Sequence, residues 1–119
     1  MLMCPPPKFI RIFFSLGLLA LLFQYTQASS EDQRAFAIAK QNACMGCHAI
    51  NKKIVGPSFE SVAQKYHTDS NAHAFLKNKI AKGGAGSWGV VPMPSNAKLS
   101  DEDLSLLTGW ILRGAPNKN

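Results

Sequence analysis

Apolar side chains recur at helical spacing in four segments of the chain, and polar or glycine-rich stretches separate these segments. The first segment begins at Ser30, with Gln33 three residues on as a capping box, and runs through EDQRAFAIAKQNA into Cys44. The second, SFESVAQKY, sets Phe59, Val62, Ala63 and Tyr66 on one face. The third, NAHAFLKNKIAK, aligns Ala72, Phe75, Leu76 and Ile80 and stops at Gly83 and Gly84. The fourth starts at Ser100, with Asp103 at the box position and Asp101, Glu102 and Asp103 at its positive dipole end. Its apolar face is Leu104, Leu107, Trp110 and Ile111, and it ends at Arg113 and Gly114. No convincing strand pair breaks the pattern, so the predicted fold class is all-α.

One connection does not fit a simple bundle. GGAGSWGVVPMPSNAK separates the third and fourth helices, and its glycines and the prolines flanking Met93 deny it helix or regular strand. Trp88, Val90, Val91 and Met93 make it too apolar for a disordered linker, so it is expected to pack against something.

The N-terminus has a different grammar. Lys8 and Arg11 precede an apolar run from Ile12 to Phe23, followed by the polar segment Gln24 to Gln27 and small residues up to Ala28. This is the layout of a secretory signal peptide cut between Ala28 and Ser29. The apolar run is short for a membrane span, which needs roughly 17–25 residues. The expected organisation is a cleaved signal over 1–28 and one domain over 29–119, exported to the periplasm with no membrane attachment once cut. An uncleaved N-terminal anchor is the other reading of the same segment.

Charge narrows the partners. The formal charge of +6 falls to +4 without Lys8 and Arg11, as eleven basic residues then face seven acidic ones. A mild excess of this kind suits docking on acidic protein surfaces. No aromatic-rich basic cluster appears, so nucleic acid is not an expected partner.

Cysteine usage brings in the chemistry. Cys4 leaves with the signal, and Cys44 and Cys47 are too close together to staple distant parts of a fold. With His48 they form Cys-x-x-Cys-His, the haem c attachment pattern. Two thiols at this spacing can add across the two vinyl groups of one porphyrin edge, and the next residue can offer a nitrogen to the iron. Three rivals compete. A structural zinc site needs four ligands, usually from two separated pairs, and no second cysteine pair exists. A thioredoxin-like thiol pair needs a βαβ framework. Two small buried cysteines adjacent by chance are the plainest alternative.

A low-spin carrier needs a second axial ligand, and a Met/His pair raises the reduction potential relative to harder ligand sets. Met1 and Met3 leave with the signal, and Met45 lies inside the attachment loop. Met93 remains, in VPMPSN, where flanking prolines lower the entropy cost of presenting the sulfur. His67 and His73 are the competing sixth ligands.

CMGCHAI, VGPSFESVAQKY, KGGAGSWGVVPMPSN and DEDLSLLTGWIL together resemble the small single-haem class I cytochromes c, of the bacterial c-551/c-552 type, over nearly all of residues 31 to 114. The resemblance implies about four short helices wrapped around one covalently bound haem c, with a long Met-bearing loop. It implies thioethers at Cys44 and Cys47 and axial ligation by His48 and Met93. It further implies that the Pro57 carbonyl accepts the imidazole N–H, and that the Asn96 side chain hydrogen-bonds near the methionine sulfur. Trp88 would approach a haem propionate with its indole N–H, and Lys79 would stand near a propionate. One departure is visible. The family places an aromatic four or five residues before the first cysteine, where this chain has Lys40 and Ala39, with Phe36 one turn earlier.

The function so implied is a soluble, monomeric periplasmic electron carrier and not an enzyme. Its partners would be redox proteins: a reductase or cytochrome c-reducing complex as donor, and nitrite reductase, a peroxidase or a terminal oxidase as acceptor. The expected docking surface is the haem edge by the attachment loop, ringed by Lys40, Lys52, Lys53 and Lys98. The alternatives are a peroxidase-like haem enzyme or gas sensor with a displaceable Met93, which would need His67 or His73 as its acid–base group, and a haem subunit of a larger oxidoreductase.

Overall fold

A computed structural model describes residues 30–117. The signal peptide expected over 1–28 lies outside the described residues. Helix α1 is under way at residue 30 and runs to 41, so the start expected at Ser30 sits at the edge of what is described. The other helices are α2 (Phe59–Tyr66), α3 (Ala72–Lys82) and α4 (Asp101–Leu112), with a short 3-10 turn at Cys44–Gly46. Among the described residues there is no strand, and the only ladder contacts are two isolated bridges, His48 with Lys53 and Gly84 with Met93. The all-α expectation holds.

Local chemistry explains where the helices begin. The Ser58 side chain accepts from the Ser61 backbone N–H at 3.1 Å, capping α2. Ser100 does the same for Asp103 at 3.1 Å, and its hydroxyl donates back to the Asp103 carboxylate at 2.9 Å. These caps satisfy backbone donors that a helix start leaves without partners.

The first helix is shorter than its periodicity suggests. It stops at residue 41 instead of running into Cys44, and Ala43 takes the left-handed conformation at φ 57°. That conformation costs a non-glycine residue roughly 1–2 kcal/mol. The gain is a sharp change of direction, after which the 3-10 turn carries the Cys-x-x-Cys-His motif.

The core centres on α4. Trp110 and Leu107 are 0 % and 1 % exposed, and both α2 and α3 pack on this helix. Leu104 and Ile111 are buried on the same face, as its spacing predicts, together with Thr108, whose hydroxyl donates to the Leu104 carbonyl at 2.7 Å. From α2 come Phe59 and Val62; from α3 come Ala72, Leu76 and Ile80. Phe75, predicted on the same α3 face, stays exposed and leans on Tyr66, with ring centroids 5.5 Å apart. The crossing of α1 and α4 is made by Phe36, whose ring lies 6.0 Å from that of Trp110, and by fully buried Ala35 and Ala39. Ion pairs from Arg34 to Glu102 and Asp103, and from Asp32 to Arg113, tie the same two helices at the surface.

Candidate functional site

The 3-10 turn is held by its own backbone. His48 N–H and Cys47 N–H both donate to the Cys44 carbonyl, at 2.9 and 3.2 Å. The chain then loops back, and Val55 and Gly56 donate to the Cys47 carbonyl at 3.2 and 2.8 Å. This return brings Gly56 and Pro57 beside the His48 ring, and Phe59 N–H closes the segment on the Ala49 carbonyl at 3.0 Å.

The position of His48 is over-determined. Its Nδ1 lies 2.7 Å from the Pro57 carbonyl, which can only accept, so the proton sits on Nδ1 and the Nε2 lone pair is left free for a metal. One ring face stacks on Phe59, with centroids 5.3 Å apart and planes 14° from parallel. Phe59 in turn meets Trp110 edge-on at 5.3 Å, which anchors the stack in the core.

Beside this ring opens a cavity of about 630 Å³. That volume falls within the roughly 300–1,000 Å³ of cofactor sites. Cys44, Cys47 and His48 line it on one side, Val62, Leu76, Ile80, Leu107 and Ile111 form its apolar floor, and Trp88 and Met93 come from the loop after α3. Both cysteines are half-buried free thiols. Burial pushes the Cys44 thiol up from its ordinary value, with the neighbouring Cys47 adding to the rise against a backbone hydrogen bond that lowers it. A raised thiol is the opposite of the activated thiolate that redox thiol pairs use. Among the described residues, no group of three or more His, Cys, Asp or Glu could hold a metal ion by itself, which leaves the zinc reading without a ligand set.

The donor set and cavity therefore fit a porphyrin. Two thiols stand at one wall, a metal-ready imidazole beside them, a thioether in the loop, and the remaining walls are predominantly apolar. Such walls are what a large flat apolar group requires.

The loop carrying Met93 is tied to the end of α3. Gly84 and Met93 exchange backbone hydrogen bonds at 2.9 and 3.1 Å. Gly83 needs its missing side chain twice over: its φ is +70°, and a Cβ there would run into the Met93 carbonyl. Asn96 N–H donates to the Ile80 and Ala81 carbonyls, and the Asn96 side-chain amide donates to the carbonyls of Ile80 at 3.3 Å and Pro94 at 3.4 Å. Lys79 Nζ donates to the Ala85 carbonyl at 3.2 Å, and Lys79, Trp88 and Asn96 all line the cavity. His67 and His73 do not: His67 Nδ1 donates to the Gln64 carbonyl, His73 Nε2 to that of Ser105, and both are exposed.

Three contributors escape the sequence patterns. Phe59 reads as an ordinary core position of α2 but is the platform under His48. Gly56 reads as a turn residue, although its place directly before Pro57 is a usable signal of close approach. Lys65 reads as a solvated helix charge, yet it reaches the loop.

Comparison with known proteins places these features in a wider set. The cytochrome c family model matches residues 33–114. Cytochrome c-552 of Nitrosomonas europaea is 39 % identical over 92 residues, covering 77 % of this chain and 84 % of that protein. Cytochrome c-552 of Hydrogenobacter thermophilus is 45 % identical over 75 residues, covering 63 % of this chain and 76 % of its own. The crystal structure of wild-type Nitrosomonas europaea cytochrome c552 superposes with a TM-score of 0.63 at 41 % identity, covering 66 % of this chain and 96 % of that one.

Proposed function

Because this chain belongs to the cytochrome c family, we propose that it is a periplasmic electron carrier in which His48 and Met93 are the axial ligands of the haem. That it is a haem electron-transfer protein, bearing one haem c attached through its Cys-x-x-Cys-His motif, follows from the family itself. When bound, the haem supplies a one-electron ferrous/ferric couple. Everything else is the work of the chain.

The carrying observation is the shared cavity. His48, with its proton held at Nδ1 by Pro57, and Met93, with its backbone pinned to Gly84, both line it. The Pro57 bond orients the imidazole and raises its basicity as a ligand. Val62, Leu76, Ile80, Leu107 and Ile111 exclude water and disfavour the extra positive charge of the oxidised state, which pushes the potential up. Trp88 and Lys79, at the loop side of the cavity, are suited to hold propionates, and Asn96 to brace the turn after Met93.

Docking follows from the surface around the attachment loop. Lys40, Lys52, Lys53 and Lys98 are exposed, and Ile54 and Val55 add apolar surface next to the second and third of them. Such a surface fits acidic redox partners, with a reductase or cytochrome c-reducing complex as donor and nitrite reductase, a peroxidase or a terminal oxidase as acceptor. Export by the N-terminal segment puts the protein in the periplasm, and N-terminal sequencing of the mature chain, expected to begin at Ser29, tests that part.

The ligand reading is tested by the ferric absorption spectrum. A near-infrared sulfur-to-iron band in the wild type, lost in Met93→Ala, is expected. A high-spin ferric spectrum in the wild type would overturn it.

A further inference from the structure

Lys65 stands in the last turn of α2, a side chain on the solvent side of a helix whose apolar face is already spent on the core. Its ammonium does not point away into water. Nζ donates to the Ser87 carbonyl at 2.7 Å and lies 4.4 Å from the centroid of the Trp88 ring. The neighbouring Tyr66 ring is 5.6 Å from the same nitrogen, so the charge lies within cation–π range of two rings. Tyr66 is itself braced by Phe75 of α3.

The loop gives this contact its meaning. Its base is fixed by the Gly84–Met93 bridge, and inside it the Gly86 N–H turns onto the Gly89 carbonyl at 2.8 Å. Among the described residues, the hydrogen bonds that tie positions 85–90 to a helix are two: Lys79 to Ala85, and Lys65 to Ser87. Lys79 holds the side next to α3. Lys65 alone ties the loop to α2, through Ser87 and Trp88, two residues that line the cavity. A cation over an indole face adds attraction to the charge-assisted hydrogen bond, and both are made by one nitrogen.

We infer that Lys65 is a positioning residue: it latches the tip of the 83–93 loop onto α2 and so restrains the displacement of Met93 by outside ligands. The latch itself stands on the contacts above; its effect on ligand entry rests on the reading of Met93 as an axial ligand. With the tip released, the loop would pivot on its glycines at 86 and 89, both of which have positive φ.

The test uses the ferric holoprotein and two readouts. Hydrogen exchange over 84–93 reports the latch without reference to the iron. Titration with imidazole, followed by loss of the sulfur-to-iron band, reports entry. Lys65→Met keeps the aliphatic stem and removes the charge; it is expected to speed exchange in the loop and tighten imidazole binding about tenfold, the factor set by one charge-assisted hydrogen bond of ordinary strength. Lys65→Arg, which retains both the donor and the stacking charge, should restore wild-type behaviour. Lys77→Met is the control, since Lys77 pairs with Asp101 at 2.7 Å and does not touch the loop.

Unchanged exchange in Lys65→Met overturns the latch, as does an equal effect from Lys77→Met. Faster exchange with unchanged imidazole affinity overturns its role in entry. Faster exchange in a protein whose wild type lacks the sulfur band supports the latch and removes Met93 as the ligand, so the two readings fail separately.

Discussion

Gly56 lies against the imidazole of His48 so closely that a methyl group in its place would come 2.8 Å from Nδ1 and 2.9 Å from Nε2. Its backbone dihedral is not in the left-handed region, so the requirement is one of space. The nearest atoms all belong to the ring, and the ring is pinned by Phe59 on one side and Pro57 on its edge. Gly56→Ala is expected to cost about 1–3 kcal/mol, the usual range for overpacking a filled site. Thermal unfolding of the ferric holoprotein measures it, and the imidazole resonances should shift as the 2.7 Å bond to Pro57 lengthens. A variant with wild-type melting and wild-type resonances would show that the loop simply moves aside.

The Ser100 cap predicts an effect on stability without one on the haem. Removing the hydroxyl leaves the Asp103 N–H without its acceptor at the head of α4, the helix that both α2 and α3 pack on. Ser100→Ala should lose about 0.5–2 kcal/mol in denaturant unfolding. Its absorption spectrum should match the wild type.

Loss of attachment should be far more severe. The cavity of about 630 Å³ is bounded by residues from α2, α3, α4 and the loop, so without the porphyrin these elements face a void in place of a core. Close-packed interiors do not tolerate such a gap, and small domains depend on their cofactors for stability. Cys44→Ala/Cys47→Ala is expected to give a chain with no cooperative melt. A compact, sharply melting product would refute the dependence.

The docking proposed through exposed lysines would make electron transfer sensitive to salt. Lys40, Lys52, Lys53 and Lys98 are all on the surface, where charges are screened within about 8 Å at physiological ionic strength. Rates with an acidic redox partner should fall as salt is added, and Lys52→Gln/Lys53→Gln should flatten that dependence. Rates indifferent to both changes would place docking elsewhere.

How much of this was legible depends on how local each feature is. The helices at 59, 72 and 101 are announced by 3.6-residue spacing, and the last also by its Ser100 cap, signals that act within a few residues. Cys44, Cys47 and His48 announce themselves for the same reason. The early stop of α1 was not legible, because nothing in KQNA forbids another turn of helix. Ala43 is driven left-handed by where the following motif must go, a demand set by the rest of the fold. Lys65 was invisible for a related reason: its partners are 22 and 23 residues away, and its chemistry becomes specific only once Trp88 is beneath it. Phe36 lay between these cases. Its apolar character was plain, but its contact with Trp110 had to await the crossing of α1 and α4.

The ion pair between Asp32 and Arg113 joins the two ends of the domain, 81 positions apart along the chain. In effect the backbone is a ring with one small gap. A short linker across that gap would let the ring be opened elsewhere, for instance at the turn between α2 and α3, far in sequence from both 44–48 and Met93. The thioether half would then be synthesised after the methionine half, while every contact around the cavity kept its partner. The contacts that build the site would thus not depend on which of its two halves leaves the ribosome first.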